Sequence, residues 1–300
     1  MRMRYLIFPG QGSQKPGFMQ PWLENDDFRS IVEKHSEITG LDLIRLGTEA
    51  SQDEISQTSV TQPLIVSASI ASARTVFNEE ELASFDAMAG HSVGEFAAAA
   101  LSGVITDEQA IKLVSLRARA MQKAADEIQT GMAAAIGSNL EELEAKLGNL
   151  VIANYNGANQ YVLAGTNADL ELIKENPPAG FRIIPLAVTG AFHTQYMEPA
   201  KTALAKHFSS VEAKDPRPKL LSNRDGMPVA SGDEFVQSLL TQVSSPVRWD
   251  KCMKTIDGAS IVVEAAPSGV LSNLLKKTIQ DAQIYSLKTP NESIDLGTND

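Results

Sequence analysis

A chain of 300 residues, 43% apolar and 21% charged, can bury a large core in one domain, or in one large domain and one small. Its 37 acidic against 26 basic residues give a formal charge of -11, and no Lys/Arg-rich block interrupts it, so nucleic acid and membrane surfaces are not expected partners. A single cysteine, Cys252, excludes an internal disulfide framework and fits a reducing, cytoplasmic setting. Beside Trp249 and Met253 it reads as packed core and not as a nucleophile. The histidines His35, His91, His193 and His207 have no helical metal-ligand spacing, so no metal site is expected.

In chain order, Tyr5-Leu6-Ile7-Phe8 predicts a buried first strand, too short to be a signal peptide or a membrane span. Pro9-Gly10-Gln11-Gly12-Ser13-Gln14 then forms a glycine-rich loop. It lacks the Gly-Lys-Ser/Thr of a nucleotide loop and the full dinucleotide fingerprint, and its backbone amides suit an oxyanion equally well. Residues 28–46 read as one helix with an intermittent stripe of Phe28, Ile31, Val32, Ile38 and Leu41. Thr61-Gln62-Pro63 starts another, with proline near its first turn, running on to Phe77. Phe85 to Ala89 reads as a short strand and Glu95 to Leu101 as a helix closed by Ser102-Gly103. Residues 107–126 form a long helix with Arg117, Arg119 and Lys123 on one face or its flank.

From Gly131 the texture changes. Strands over 132–136, 151–154, 161–163 and 181–186, with helices over 140–147 and 168–174, give the order β-α-β-β-α-β of a ferredoxin-like insert. The remaining elements are a helix after Pro199, a strand at 219–222, helices near 235–243 and 249–256, a strand at 261–265 and a helix over 270–279. The expected fold is therefore α/β: a larger α/β-hydrolase-like catalytic domain with a mainly parallel sheet over 1–128 and 190–288. A small ferredoxin-like α+β subdomain is inserted at 129–189, and 289–300 form a loose tail.

The chemistry starts at Gly90-His91-Ser92-Val93-Gly94, a serine between two glycines where a strand turns into a helix. That is the setting of a nucleophile elbow, although a glycine-flanked serine can also simply cap a helix. A serine hydroxyl needs a general base, and His193, in a loop after a strand and before a helix, is the best placed. His207 lies on an ordinary amphipathic helix, and His91 is expected to pack or hydrogen-bond. An anionic tetrahedral intermediate needs preorganised donors: the amide of Val93, following the nucleophile, and that of Gln11 in the first loop. On residues alone Arg117 is open, because helical arginines are commonly solvated or paired with an acidic neighbour.

Taken together, Pro9-Gly10-Gln11-Gly12-Ser13-Gln14, Thr61-Gln62-Pro63, Gly90-His91-Ser92-Val93-Gly94-Glu95, Leu116-Arg117 with Met121, Ala191-Phe192-His193 with Met197, Leu221-Ser222-Asn223 and Pro246-Val247-Arg248-Trp249 resemble the malonyl-CoA:acyl carrier protein transacylases, a family that includes acyltransferase domains of polyketide synthases. The resemblance covers about residues 4 to 275. It implies Ser92 as acyl acceptor, His193 as its base, and the Gln242 main-chain carbonyl, in place of a buried aspartate, as the group orienting the histidine. It also implies Arg117 as partner of the malonyl carboxylate, Gln62 lining the same pocket, Asn154 facing the cleft, and Phe192 limiting space for an α-methyl group. The substrate would be a CoA thioester, no cofactor would be bound, and acyl carrier protein would be the partner and bring the phosphopantetheine. A monomer is expected. The turn Glu264-Ala265-Ala266-Pro267-Ser268-Gly269 departs from the family pattern, which leaves that loop and carrier docking open; Lys276, Lys277 and the 117–123 helix are docking candidates.

Three rivals remain at this level. A serine hydrolase would need a third acidic triad member and would leave Arg117 idle. A polyketide acyltransferase acting in trans would share the chemistry. A binding module that keeps the fold would form no acyl-serine.

Overall fold

The computed structural model describes residues 3–297. Among them are nine strands: β1 (Arg4–Phe8), β2 (Ala87–Gly90), β3 (Thr130–Ile136), β4 (Val151–Gly157), β5 (Gln160–Thr166), β6 (Arg182–Thr189), β7 (Lys219–Leu221), β8 (Ile261–Glu264) and β9 (Gln283–Ser286). They form two sheets. The first has the order β7-β2-β1-β8-β9, every neighbouring pair parallel. The second, β4-β5-β3-β6, is antiparallel.

The central strand shows why the first sheet is covered on both faces. Side chains alternate along a strand, and in β1 Leu6 and Phe8 enter one core while Tyr5 and Ile7 enter another. The first core holds the helices Thr58–Val76, Gly94–Leu101 and Asp107–Glu127. The second is built from Trp249, Cys252 and Ile256 of one helix and Leu271, Leu274 and Leu275 of another. A strand buried on both faces reads as the near-continuous apolar run seen at Tyr5-Leu6-Ile7-Phe8.

The antiparallel sheet arises from one contiguous stretch in the order β-α-β-β-α-β, with helices Leu140–Ala145 and Asn167–Glu175. It joins the rest of the chain through main-chain bonds as well as covalently. Val247 N donates to Ala153 O at 2.9 Å and Tyr155 N donates to Val247 O at 2.9 Å. One edge of β4 thus reaches the segment just after Gln242.

Several boundaries differ from expectation. The helix expected over 28–46 is two, Asp26–Thr39 and Leu43–Thr48, because Gly40 ends the first in a left-handed conformation and Asp42 caps the second. Pro63 does not open its helix but lies inside Thr58–Val76, whose first turn is supported by Gln122 Oε1 accepting from Thr58 N at 3.1 Å. The last helix stops at Leu275, short of 279. Arg117, Arg119 and Lys123 do not share a face: Arg117 is buried while the other two are exposed. The departing turn at 264–269 is held by Glu264, whose carboxylate accepts from Gly269 N, Leu271 N and Ser272 N at 2.8–3.0 Å. The segment expected to be a loose tail carries no helix or strand as far as Gly297, yet Ile294 and Leu296 pack on the main core; residues 298–300 lie outside those described.

Candidate active site

The first two strands of the parallel sheet end side by side, with Phe8 opposite Gly90, and their carboxyl ends carry the Gln11 loop and Ser92. Ser92 has φ 51°, a left-handed backbone that a non-glycine residue adopts only when its surroundings impose it. Three contacts do so. Ser92 N donates to Asn223 Oδ1 at 2.7 Å, Asn223 Nδ2 donates to Gly90 O at 2.7 Å, and His91 N donates to Phe8 O at 2.9 Å. The flanking glycines are required by space: a Cβ on Gly94 would lie 2.3 Å from Phe8 O, and one on Gly90 2.0 Å from Gly94 C. The sharp turn lifts the hydroxyl out of the sheet and into a cleft of about 380 Å³.

His193, also at positive φ (62°), places Nε2 2.7 Å from Ser92 Oγ. Its Nδ1 is 2.8 Å from the main-chain O of Gln242. A carbonyl only accepts, so Nδ1 holds the proton and Nε2 is free to take the serine's. Burial, reinforced by the charge of Arg117, lowers His193 from 6.5 to about 3, which keeps the ring neutral at neutral pH. No carboxylate contacts this histidine among the described residues.

Gln11 and Val93 both line the cleft, and among the described residues the main-chain amide of neither donates to a protein acceptor. Unclaimed backbone donors beside a serine hydroxyl suit a developing oxyanion.

Arg117 is fully buried and meets neutral acceptors only. Nη1 donates to Gln62 Oε1 at 2.7 Å, Nη2 to Gln242 Oε1 at 3.0 Å and, longer, to Ser92 Oγ at 3.5 Å. Its Nε has no acceptor, and its face lies over the Phe96 ring, 5.8 Å from the centroid. Burial lowers Arg117 to about 10, so it stays charged at neutral pH. A buried cation without an ion pair among the described residues, bordering a cleft, is suited to receive an anion. Phe192, Gln62 and Asn154 line the same cleft. His91 turns away from the hydroxyl: its Nε2 lies 2.9 Å from Asn156 Oδ1 and its ring packs edge-on to Trp249.

Asn223 and Glu95 are supporting residues whose place the sequence pattern does not reveal. Asn223 holds the elbow as described. Glu95, buried beneath it, accepts from Asn223 N at 2.6 Å and from Gln242 Nε2. Burial raises its carboxyl to about 8 against the opposing pull of the Asn223 amide and of Arg117. Nothing in the local pattern distinguishes Glu95 from a first-turn helical acid; only its depth does. Among the described residues there is no group of three His, Cys, Asp or Glu able to hold a metal ion, and no helix long and apolar enough to cross a membrane.

Comparison with known proteins gives the family. The acyl transferase domain family matches residues 5–292. A malonyl CoA-acyl carrier protein transacylase of Mycobacterium tuberculosis is 41% identical over 290 residues, 95% of this chain and 96% of that one. The crystal structure of MCAT from Mycobacterium tuberculosis superposes with TM-score 0.92 at 41% identity, covering 96% of this chain and 97% of that one. A type II PKS acyl-carrier protein in complex with its malonyl-transacylase, PlMCAT with holo AntF, includes a chain matched with TM-score 0.87 at 29% identity, 96% of each chain being covered. With the family match spanning nearly its whole length, this chain belongs to the acyl transferase domain family.

Proposed function

We propose that this chain is a malonyl CoA-acyl carrier protein transacylase, moving a malonyl group from coenzyme A to the thiol of acyl carrier protein through an ester on Ser92. The observation that carries the reading is the conjunction of a serine–histidine pair at 2.7 Å with a buried, unpaired arginine in the same cleft. The relatives named above supply the substrate and the partner.

His193 Nε2 takes the Ser92 proton as Oγ attacks the thioester carbonyl, and the oxyanion sits on the Gln11 and Val93 amides. The carbon–sulfur bond breaks, the proton passes from His193 to the departing thiolate, and malonyl-Ser92 remains. The carrier's thiol then gives its proton to His193 and attacks the ester, and Ser92 recovers the proton as the acyl group leaves. Arg117 holds the free carboxylate through its fork of N–H groups. That contact orients the ester, and the enclosed cleft limits access of water. Gln242 plays two parts, its main-chain oxygen fixing the His193 tautomer and its side chain meeting Arg117. Phe192 and Asn154 shape the acyl pocket.

The larger unit, 1–128 with 190–288, is α/β-hydrolase-like in its strand–elbow–helix, and 129–189 is a ferredoxin-like subdomain that supplies one wall of the cleft. The enzyme acts as a cytoplasmic monomer without a bound cofactor. The test is intact-protein mass after brief exposure to malonyl-CoA, with Ser92→Ala as control. A malonyl-sized adduct that requires Ser92 and clears on adding carrier protein is expected. Steady thioester consumption without carrier protein would instead indicate a hydrolase.

A further inference from the structure

Resting on the transfer reading above, we propose that Glu95 is a positioning residue for acyl-group specificity: it fixes which way round the Gln242 side-chain amide sits, so that Arg117 meets an oxygen and not an NH2. The argument is one of donors and acceptors. Arg117 can only donate. Gln242 Oε1 faces its Nη2 at 3.0 Å, which requires Gln242 Nε2 to point the other way. There it meets Glu95 Oε2, with Ser92 O at 3.3 Å and Asn223 Oδ1 at 3.4 Å as longer acceptors. The other Glu95 oxygen accepts from Asn223 N at 2.6 Å, and Asn223 in turn holds Ser92 N. One carboxylate thus anchors both the arginine's partner and the serine's turn.

Among the described residues no cation forms an ion pair with Glu95 directly. Arg224 and Arg248 line a second cavity of about 430 Å³ that Glu95 and Gln242 also border. Both guanidiniums are engaged elsewhere, Arg224 with Asp225 and Glu234, Arg248 with Asp250. Arg117 and Glu95 are instead linked through the Gln242 amide, its oxygen toward the guanidinium and its nitrogen toward Glu95; both Glu95 oxygens face N–H donors, so the geometry is that of the ionised carboxylate, which burial, raising the group to about 8, opposes. Glu95 touches neither the hydroxyl nor the imidazole, so any effect it has on the reaction passes through its neighbours.

Glu95→Gln separates this from a packing role, because it preserves shape while making one of the two acceptors a donor. Whichever way a glutamine is turned, its NH2 confronts Asn223 N or Gln242 Nε2. Asn223 N is a main-chain donor that cannot turn over, whereas the Gln242 amide can, so the new NH2 settles toward Gln242, which relaxes only by presenting its own NH2 to Arg117. Two donors are probed in each variant: malonyl-CoA, and p-nitrophenyl acetate as an acyl donor with no carboxylate. For Glu95→Gln, kcat/KM for malonyl-CoA is expected to fall about tenfold or more relative to that for the uncharged ester. Gln242→Met, which keeps the main-chain carbonyl on His193 but removes the amide, should show the same selective loss. In the double variant the second change should add little, since the two act through one contact. Equal losses for both donors, additive losses in the double variant, or malonyl kcat/KM unchanged in Glu95→Gln would each overturn the proposal. If Glu95→Gln does not fold, comparing Gln242→Met with the double variant decides the matter, because no opposed NH2 groups remain there. Wild-type protein that takes no malonyl group from malonyl-CoA would refute the reading of function first, and this proposal with it.

Discussion

At the scale of single residues, the site separates two jobs that one sequence motif does not. In the proposed mechanism Ser92, His193 and the two free amides act on the carbonyl, and Arg117 on the far end of the acyl group; in the structure the serine–histidine pair and the Gln62-held arginine are separate contacts. Arg117→Ala is therefore expected to lower kcat/KM for malonyl-CoA by about a hundredfold or more, the scale of losing one half of a desolvated charge pair. Acylation of Ser92 by an uncharged ester should be far less affected, and comparing the two donors in stopped-flow measures this directly. Histidine protonation gives a second outcome. With His193 held at about 3, the base stays neutral as the pH falls through 6.5, so kcat/KM of the free enzyme should show no acid limb there. An inflection near 6.5 in the kcat/KM profile would contradict it. The elbow, His193 and the Gln11 loop were legible in the sequence because their chemistry is written in residue type and local turn pattern. Glu95 was not, since an acid in the first turn of a helix is ordinarily solvated and its burial depends on what packs over it.

At the scale of elements, the decisive contact is the approach of the Gly94–Leu101 helix to the end of β1. With Phe8 O only 2.3 Å from where a Gly94 Cβ would stand, Gly94→Ala must push the helix start off the sheet. The expected cost is about 1–3 kcal/mol of stability together with a large loss of turnover, because Ser92 and the Val93 amide move with that helix. Chemical denaturation and acylation rates on the same variant test both parts, and an active variant of unchanged stability would contradict the packing described. Helix existence and type were readable from apolar spacing along most of the chain. The break at Gly40 was not, as the stripe of Phe28, Ile31, Val32, Ile38 and Leu41 carries across it. Strand β9 also escaped notice, because Gln283–Ser286 is a four-residue edge with only Ile284 and Tyr285 to mark it, and its pairing with β8 is decided by the neighbour and not by its own pattern.

At the scale of the whole molecule, the acid response follows from three histidines kept neutral by enclosure. His35 is lowered to about 4, His193 to about 3, and His91 in the same direction, burial being the leading cause in each. The unfolded chain binds protons at these sites from about 6.5 downward while the folded one does not, so stability is fully present above that value and lost as the pH falls below it. Each such histidine contributes up to about 1.4 kcal/mol of loss per pH unit in that window. Urea midpoints should accordingly drop between about pH 7 and about pH 5, and less so in His35→Gln, which cannot charge. The second whole-molecule feature is the join between the two sheets. The β4 edge makes an isolated bridge to Val247, five residues beyond the carbonyl that His193 meets, so the smaller sheet is tied close to that loop.

The sequence by itself determined what depends on local chemistry: a strand–turn–helix that exposes a serine, a glycine-rich loop with spare amides, and a β-α-β-β-α-β insert. Through its motifs it also carried the resemblance to the transacylase family. Only the tertiary structure decided that His193 faces Ser92 across 101 positions of chain, that Arg117 turns inward while Arg119 turns out, and that Gln242 and Glu95 link the two ends of the site. The physical reason is that hydrogen-bond reach and burial are properties of neighbours in space, and those neighbours come from helices and loops that the two sheets together bring to one place.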